Sequence, residues 1–178
     1  KDIAVIVGTQ SYKNIDESYK IFKILKKKNN LLKLIIVGNQ NFIPKYLIDN
    51  KDVIINGVIK QSEVIELLKK AKYFISTTKV ENSFNAASEG IVLSEVAYIS
   101  DIEPHRELLK NELYEFVSIP TLSNKIIKTN GKNIMGKNLK SWNDVILEKI
   151  KKVESLINVN KITSKNDKNQ KQEKLIEL

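Results

Sequence analysis

Two carboxylates with seven residues between them, Glu81 and Glu89 in the stretch ENSFNAASE, are the groups in this chain whose spacing best suits joint action. Ionised carboxylates only accept hydrogen bonds, so a pair of them suits the diols of a sugar and a ribose. An apolar run, Tyr73 to Ser76, precedes them, and beyond a polar break Ala86, Ala87, Val92 and Leu93 recur at helical spacing. That pattern predicts a strand feeding a helix through a polar loop, with Asn82 or Ser83 as N-cap, Glu81 just ahead of the helix and Glu89 inside it. Neither Glu nor Gln follows three positions after Ser83, so no capping box closes off the amides of Ser83, Phe84 and Asn85. With the helix dipole they could hold a phosphate. Spacing alone fits a solvated loop acid and an exposed helix acid equally well.

A cation is expected near the same place. The apolar run Ile3 to Val7 ends at Gly8, and the following segment puts Ile15, Tyr19, Phe22 and Leu25 on one helical face. Asn14 and Glu17 read as a capping pair, which leaves Lys13 at the helix mouth beside the loop that leaves the first strand. Its ammonium could reach an anion there, although an ordinary surface lysine is the alternative. His105 is a lone imidazole without a paired Ser, Cys or acid constellation, and reads as structural or solvated.

These groups need a scaffold, and the rest of the chain supplies one by alternation. LKLIIVG (Leu32 to Gly38) and DVIINGV (Asp52 to Val58) read as strands closed by glycine, with a short helix or loop at NFIPKYLIDN between them. SEVIELLKKA reads as a helix from Ser62 with Val64, Leu67, Leu68 and Ala71 inward. VAYISDI (Val96 to Ile102) is a fifth strand, PHRELLKN a short helix begun at Pro104, and YEFVSI a sixth strand. Two helical segments are expected to follow, TLSNKIIKTNGKN and LKSWNDVILEKIKKVESLI, the second with Trp142, Val145, Ile146, Ile150 and Val153 as a stripe. The fold class is α/β, a Rossmann-like parallel sheet of about six strands with helices on both faces. Ligands of such sheets lie beyond the carboxyl ends of the strands, where Lys13, Glu81 and the Ser83 amides all fall. The domain is expected to span residues 1–158, and residues 159–178, which lose periodicity, to form a flexible basic tail.

Composition narrows the chemistry. With 178 residues, 42% of them hydrophobic, one domain of ordinary size is the default. No cysteine is present and only one histidine, which excludes disulfides, a thiolate nucleophile and a Cys or His-rich metal centre. A metal-independent, intracellular protein is the expectation. The formal charge of +9 suits nucleic acid, an anionic membrane face or a phosphorylated substrate. Because the aromatics mostly occupy apolar periodic positions, no nucleic-acid partner is expected. The chain opens Lys-Asp-Ile rather than with Met, as a fragment of a longer protein would.

ENSFNAASEG resembles the E-x7-E motif of the retaining GT-B glycosyltransferases, specifically glycosyltransferase family 4 (glycosyl transferases group 1), over roughly residues 2 to 150. In that family the motif follows the fourth strand of the C-terminal, donor-binding domain, as here. The resemblance implies a domain that binds a nucleotide diphosphate sugar and serves transfer of a hexose to a glycan or lipid-linked acceptor. It implies a separate N-terminal acceptor domain that this chain lacks, no metal cofactor, and a cytoplasmic place with peripheral contact at the inner membrane surface. Carried onto this sequence, Glu81 contacts donor-sugar hydroxyls and is the catalytic residue, while Glu89 takes the ribose diol. The amides of Ser83, Phe84 and Asn85 face the pyrophosphate, which Lys13 also binds. Gly38, Gly57 and Val58 would line base and ribose. Two departures stand out: Phe84 occupies a position where many members carry a small residue, and no Arg accompanies Lys13 in GTQSYKN. The rival reading is a non-catalytic α/β nucleotide- or phosphate-binding module.

Overall fold

A computed structural model describes residues 2–81, 85–109, 114–123, 125–130 and 150–151. The chain divides into two units, Lys1–Asn138 and Leu139–Leu178. In the first, β1 (Ile3–Val7), α1 (Ile15–Lys28), β2 (Lys33–Val37), α2 (Lys45–Ile48), β3 (Val53–Gly57), α3 (Gln61–Lys70), β4 (Tyr73–Ser76), α4 (Asn85–Leu93), β5 (Val96–Ser100), α5 (Glu103–Leu108), β6 (Tyr114–Val117) and β7 (Ile126–Thr129) follow one another. Of the second unit only residues 150–151 are described. The expected stripe around Trp142 and the tail at 159–178 lie outside the described residues.

The strands form one sheet in the order β3-β2-β1-β4-β5-β7-β6. β1 to β5 are mutually parallel, and β7 runs antiparallel to both β5 and β6. Successive strand side chains point to opposite faces, and the core divides accordingly. Val5, Ile35, Phe74, Ala97 and Ile99 pack with Val64 and Leu68 of α3 and Ala87 and Ile91 of α4. Ala4, Ile6, Leu34, Ile36 and Ile75 pack with Ile15, Ile21, Phe22 and Leu25 of α1. The central strands β1, β2, β4 and β5 are thus covered on both faces, which is why they are largely apolar rather than alternating, whereas the edge strands β3 and β6 bury less.

One element departs from expectation. The segment read as the helix TLSNKIIKTNGKN contains β7, the antiparallel strand. Ile126, Ile127 and Thr129 are β-branched, with side chains that suit a pleated surface better than a helix. A strand buries Ile126 in one core cluster and Ile127 in the other, a division that adjacent residues of a helix, only about 100° apart, achieve less well. The helix read from Ser62 also starts one residue earlier. α3 begins at Gln61, and Glu63 accepts from the backbone N–H of Lys60 at 2.9 Å.

The seat of α4 on β4 is set by Gly90. A Cβ there would lie 2.3 Å from two ring carbons of Phe74, which is fully buried. Gly90→Ala is therefore expected to destabilise the domain. Overpacking costs about 1–3 kcal/mol, at the upper end for a contact this short, and outweighs the roughly 1 kcal/mol alanine gains as a helix former. Urea unfolding measures it, and an unchanged midpoint would mean that α4 is not held this closely.

Candidate functional site

In a strand order of 3-2-1-4-5 the chain winds away from β1 in both directions, so a crevice opens at the carboxyl ends of β1 and β4. The loop after β1 carries Lys13, at the end of a 3-10 turn spanning Ser11–Lys13, and the loop after β4 carries Glu81. The two meet across the crevice. Lys13 Nζ donates to Glu81 Oε2 at 2.7 Å, and each side chain is only about a tenth exposed. The ammonium also lies 5.4 Å from the ring centroid of Tyr12. An ammonium has three donors, so it can hold Glu81 and a further anion together.

Backbone ties fix both loops. Lys79 N–H donates to the Tyr12 carbonyl at 2.8 Å, and the Thr78 hydroxyl donates to the Val80 carbonyl at 2.7 Å. One layer deeper, Thr77 Oγ1 donates to the Asn14 carbonyl at 2.7 Å and pairs with the buried Ser18 hydroxyl at 2.8 Å. Ser100 Oγ at the end of β5 donates to the Thr78 carbonyl at 2.6 Å. Every hydroxyl in this small cluster points at a carbonyl or another hydroxyl, so the segment ahead of Glu81 is held without taking any acceptor from Glu81 itself.

His105 belongs beneath this cluster. It is fully buried, with Nδ1 2.8 Å from the Ser100 carbonyl. That contact makes Nδ1 the protonated nitrogen and leaves Nε2 as a lone pair, without a partner among the described residues. Burial lowers its pKa, against the pull of the Ser100 carbonyl, and so favours the neutral ring. Of the two readings from sequence, the structural one matches this environment.

The capping pair at α1 takes a different form. Asn14 precedes the helix with φ of 53°, in the left-handed region, and its side chain makes no capping bond. A side-chain cap needs extended backbone at that residue, and asparagine is among the few non-glycine residues that tolerate the left-handed region instead. Glu17, expected to reach back, accepts from the backbone N–H and hydroxyl of Ser123. Burial pushes its carboxyl up, but the Ser123 bonds and the Lys20 charge outweigh this and hold it below the usual range. Glu17 thereby ties the β6–β7 connection to the start of α1.

Glu89 lies one turn inside α4, and both its oxygens are 2.6 Å from Gln61 Nε2 at the start of α3. Nothing in the periodicity of the sequence marks Gln61. Asn85 is the first residue of α4 and is exposed, while Ser83 and Phe84 lie outside the described residues. Gly38 directly follows β2 and Gly57 ends β3 at the same sheet edge, joined by a 2.8 Å bond from Gly38 N–H to the Gly57 carbonyl. Gly38 has φ of +146°, and a Cβ there would strike the Thr9 side chain at 2.6 Å. Its type is thus explained by packing. Val58 is 81% exposed and available to a ligand. Among the described residues no group of three or more His, Asp or Glu is placed to hold a metal ion, and no helix is long and apolar enough to cross a membrane.

Strand order, covering helices and a crevice with an ion pair at the switch point define a Rossmann-like α/β domain. The sequence model of the glycosyl transferases group 1 family matches residues 1–129, well over half of the chain, and the chain belongs to that family. Its enzymes transfer glycosyl groups from nucleotide sugars. No curated protein matches the chain.

Proposed function

We propose that this domain holds the nucleotide diphosphate sugar of a retaining GT-B glycosyltransferase of family 4, with hexose as the transferred group and a glycan or lipid-linked acceptor. The observation that carries the proposal is the Lys13–Glu81 pair across the β1/β4 switch point. It sets a cation for a diphosphate beside an acceptor for sugar hydroxyls, as the two halves of such a donor require. Lys13 stabilises the charge that develops on the leaving diphosphate, with the amides of Ser83, Phe84 and Asn85 completing the anion site. Glu81 orients the hexose and is the catalytic residue, Glu89 binds the ribose diol, and Gly38, Gly57 and Val58 border ribose and base. An N-terminal domain brings the acceptor, and a lipid-linked acceptor would bring the protein to the cytoplasmic face of a membrane.

The test is a thermal-shift and calorimetric comparison of nucleoside diphosphates with their sugar conjugates, since a ligand that binds the native state raises its melting temperature. Glu89→Ala is expected to weaken nucleoside diphosphates by about tenfold or more, a charge-assisted hydrogen bond being worth about 1.5–3 kcal/mol. Unchanged affinity in a folded variant removes the ribose role. A nucleotide bound as well as its sugar conjugate, with Glu81 substitutions silent for both, would favour the non-catalytic module.

A further inference from the structure

The surroundings of Glu89 carry one step more, which rests on the ribose role proposed for that residue. Gln61 Nε2 is equidistant from the two Glu89 oxygens, 2.6 Å from each. Gln61 opens α3, four residues after Gly57, so it stands at the carboxyl edge of the sheet beside the strand end that borders the proposed base and ribose. A carboxylate has about four lone-pair sites, and the Gln61 amide engages both oxygens from one side. With at most two of the four sites taken, the remaining ones can accept from a diol.

We infer that Gln61 is a positioning residue for donor recognition: it fixes the rotation of the Glu89 carboxylate so that both oxygens face the ribose hydroxyls, and so sets preference for ribonucleotides over 2′-deoxyribonucleotides. A neutral amide suits this task. Lysine would neutralise the carboxylate and weaken it as an acceptor, and a second acid would repel it. A carboxylate in mid-helix with no such partner would be free to turn about its terminal torsion, which is broad and roughly two-fold. A diol needs both oxygens correctly aimed, whereas a single remaining hydroxyl needs one. Loss of Gln61 therefore falls more heavily on the ribonucleotide.

The experiment measures, by calorimetry on the intact chain, the affinities of uridine, adenosine and guanosine diphosphates and their 2′-deoxy counterparts. The ratio within each pair is the readout, because a change in folding moves both members together. The wild type is expected to prefer the ribonucleotide. Gln61→Ala should lower that preference by about threefold to tenfold, the range of one ordinary hydrogen bond. Gln61→Glu should abolish it, and Glu89→Ala should abolish it too. If Glu89→Ala removes the preference and Gln61→Ala leaves it intact, the positioning role is wrong while the ribose role of Glu89 stands. If the wild type shows no preference, or Glu89→Ala retains it, the ribose role fails and this inference with it. Gln61 is exposed and lies at a helix start, so its variants should fold, and their melting temperatures without nucleotide confirm it.

Discussion

Lys13→Ala is expected to lower the affinity for nucleoside diphosphates by about tenfold to a hundredfold at low salt, the range for a charged hydrogen bond in a sheltered place. Lys13 is 9% exposed, so water does not replace it fully as a partner for phosphate. The loss should be smaller for a monophosphate and absent for a nucleoside. It should shrink as salt is added, because ions screen the contact. Calorimetry across these ligands and two ionic strengths checks it, and equal losses for mono- and diphosphate would deny Lys13 the second phosphate. The substitution also strands the Glu81 carboxylate, itself about a tenth exposed, without its cation. An uncompensated, partly buried charge destabilises. Lys13→Ala should therefore lower stability more than the double variant Lys13→Ala/Glu81→Gln does, and a double-mutant cycle isolates the coupling.

The Lys13–Glu81 meeting could be anticipated from sequence because both residues lie in loops that leave the carboxyl ends of strands, and parallel strands of a wound sheet deliver those loops to one edge. Residues 68 apart in the chain become neighbours through topology alone. The parallel strands were legible for a related reason: each is a short apolar run closed by glycine or a polar break. β7 was not. Its four residues, Ile-Ile-Lys-Thr, satisfy a helical face as readily as a strand, and only the partners β5 and β6 decide the matter. Local rules failed in the same way at α1. Asn14 and Glu17 have the spacing of a capping pair, yet the Asn14 backbone conformation is left-handed and Glu17 bonds Ser123, 106 residues away. Neither the backbone angle nor the distant partner can be read from a spacing of three. Gln61 was invisible for the opposite reason, since a polar residue at the start of a helix is too ordinary to signal anything until α3 and α4 are packed side by side.

Glu81→Gln should separate two ligands that most substitutions would weaken together. Glu81 holds Lys13 at 2.7 Å, so a diphosphate at Lys13 must share or displace that contact. Glutamine at position 81 keeps the shape, removes the charge and loosens the hold on Lys13. A bare nucleoside diphosphate should accordingly bind as well as to the wild type, or somewhat more tightly. The nucleotide sugar should instead lose affinity, because a hydroxyl donating to a carboxylate loses its charge-assisted partner, worth about 1.5–3 kcal/mol. Transfer should suffer further. If Glu81 bonds the hexose more strongly as positive charge builds at the anomeric carbon, the rate with acceptor in the complete enzyme must fall by more than donor binding does. Calorimetry with both ligands, followed by release of nucleoside diphosphate in the presence of acceptor, gives the three numbers needed. Equal losses for nucleotide and nucleotide sugar would move Glu81 away from the hexose, and a rate that falls only as far as binding would leave it a binding residue without a part in the transition state.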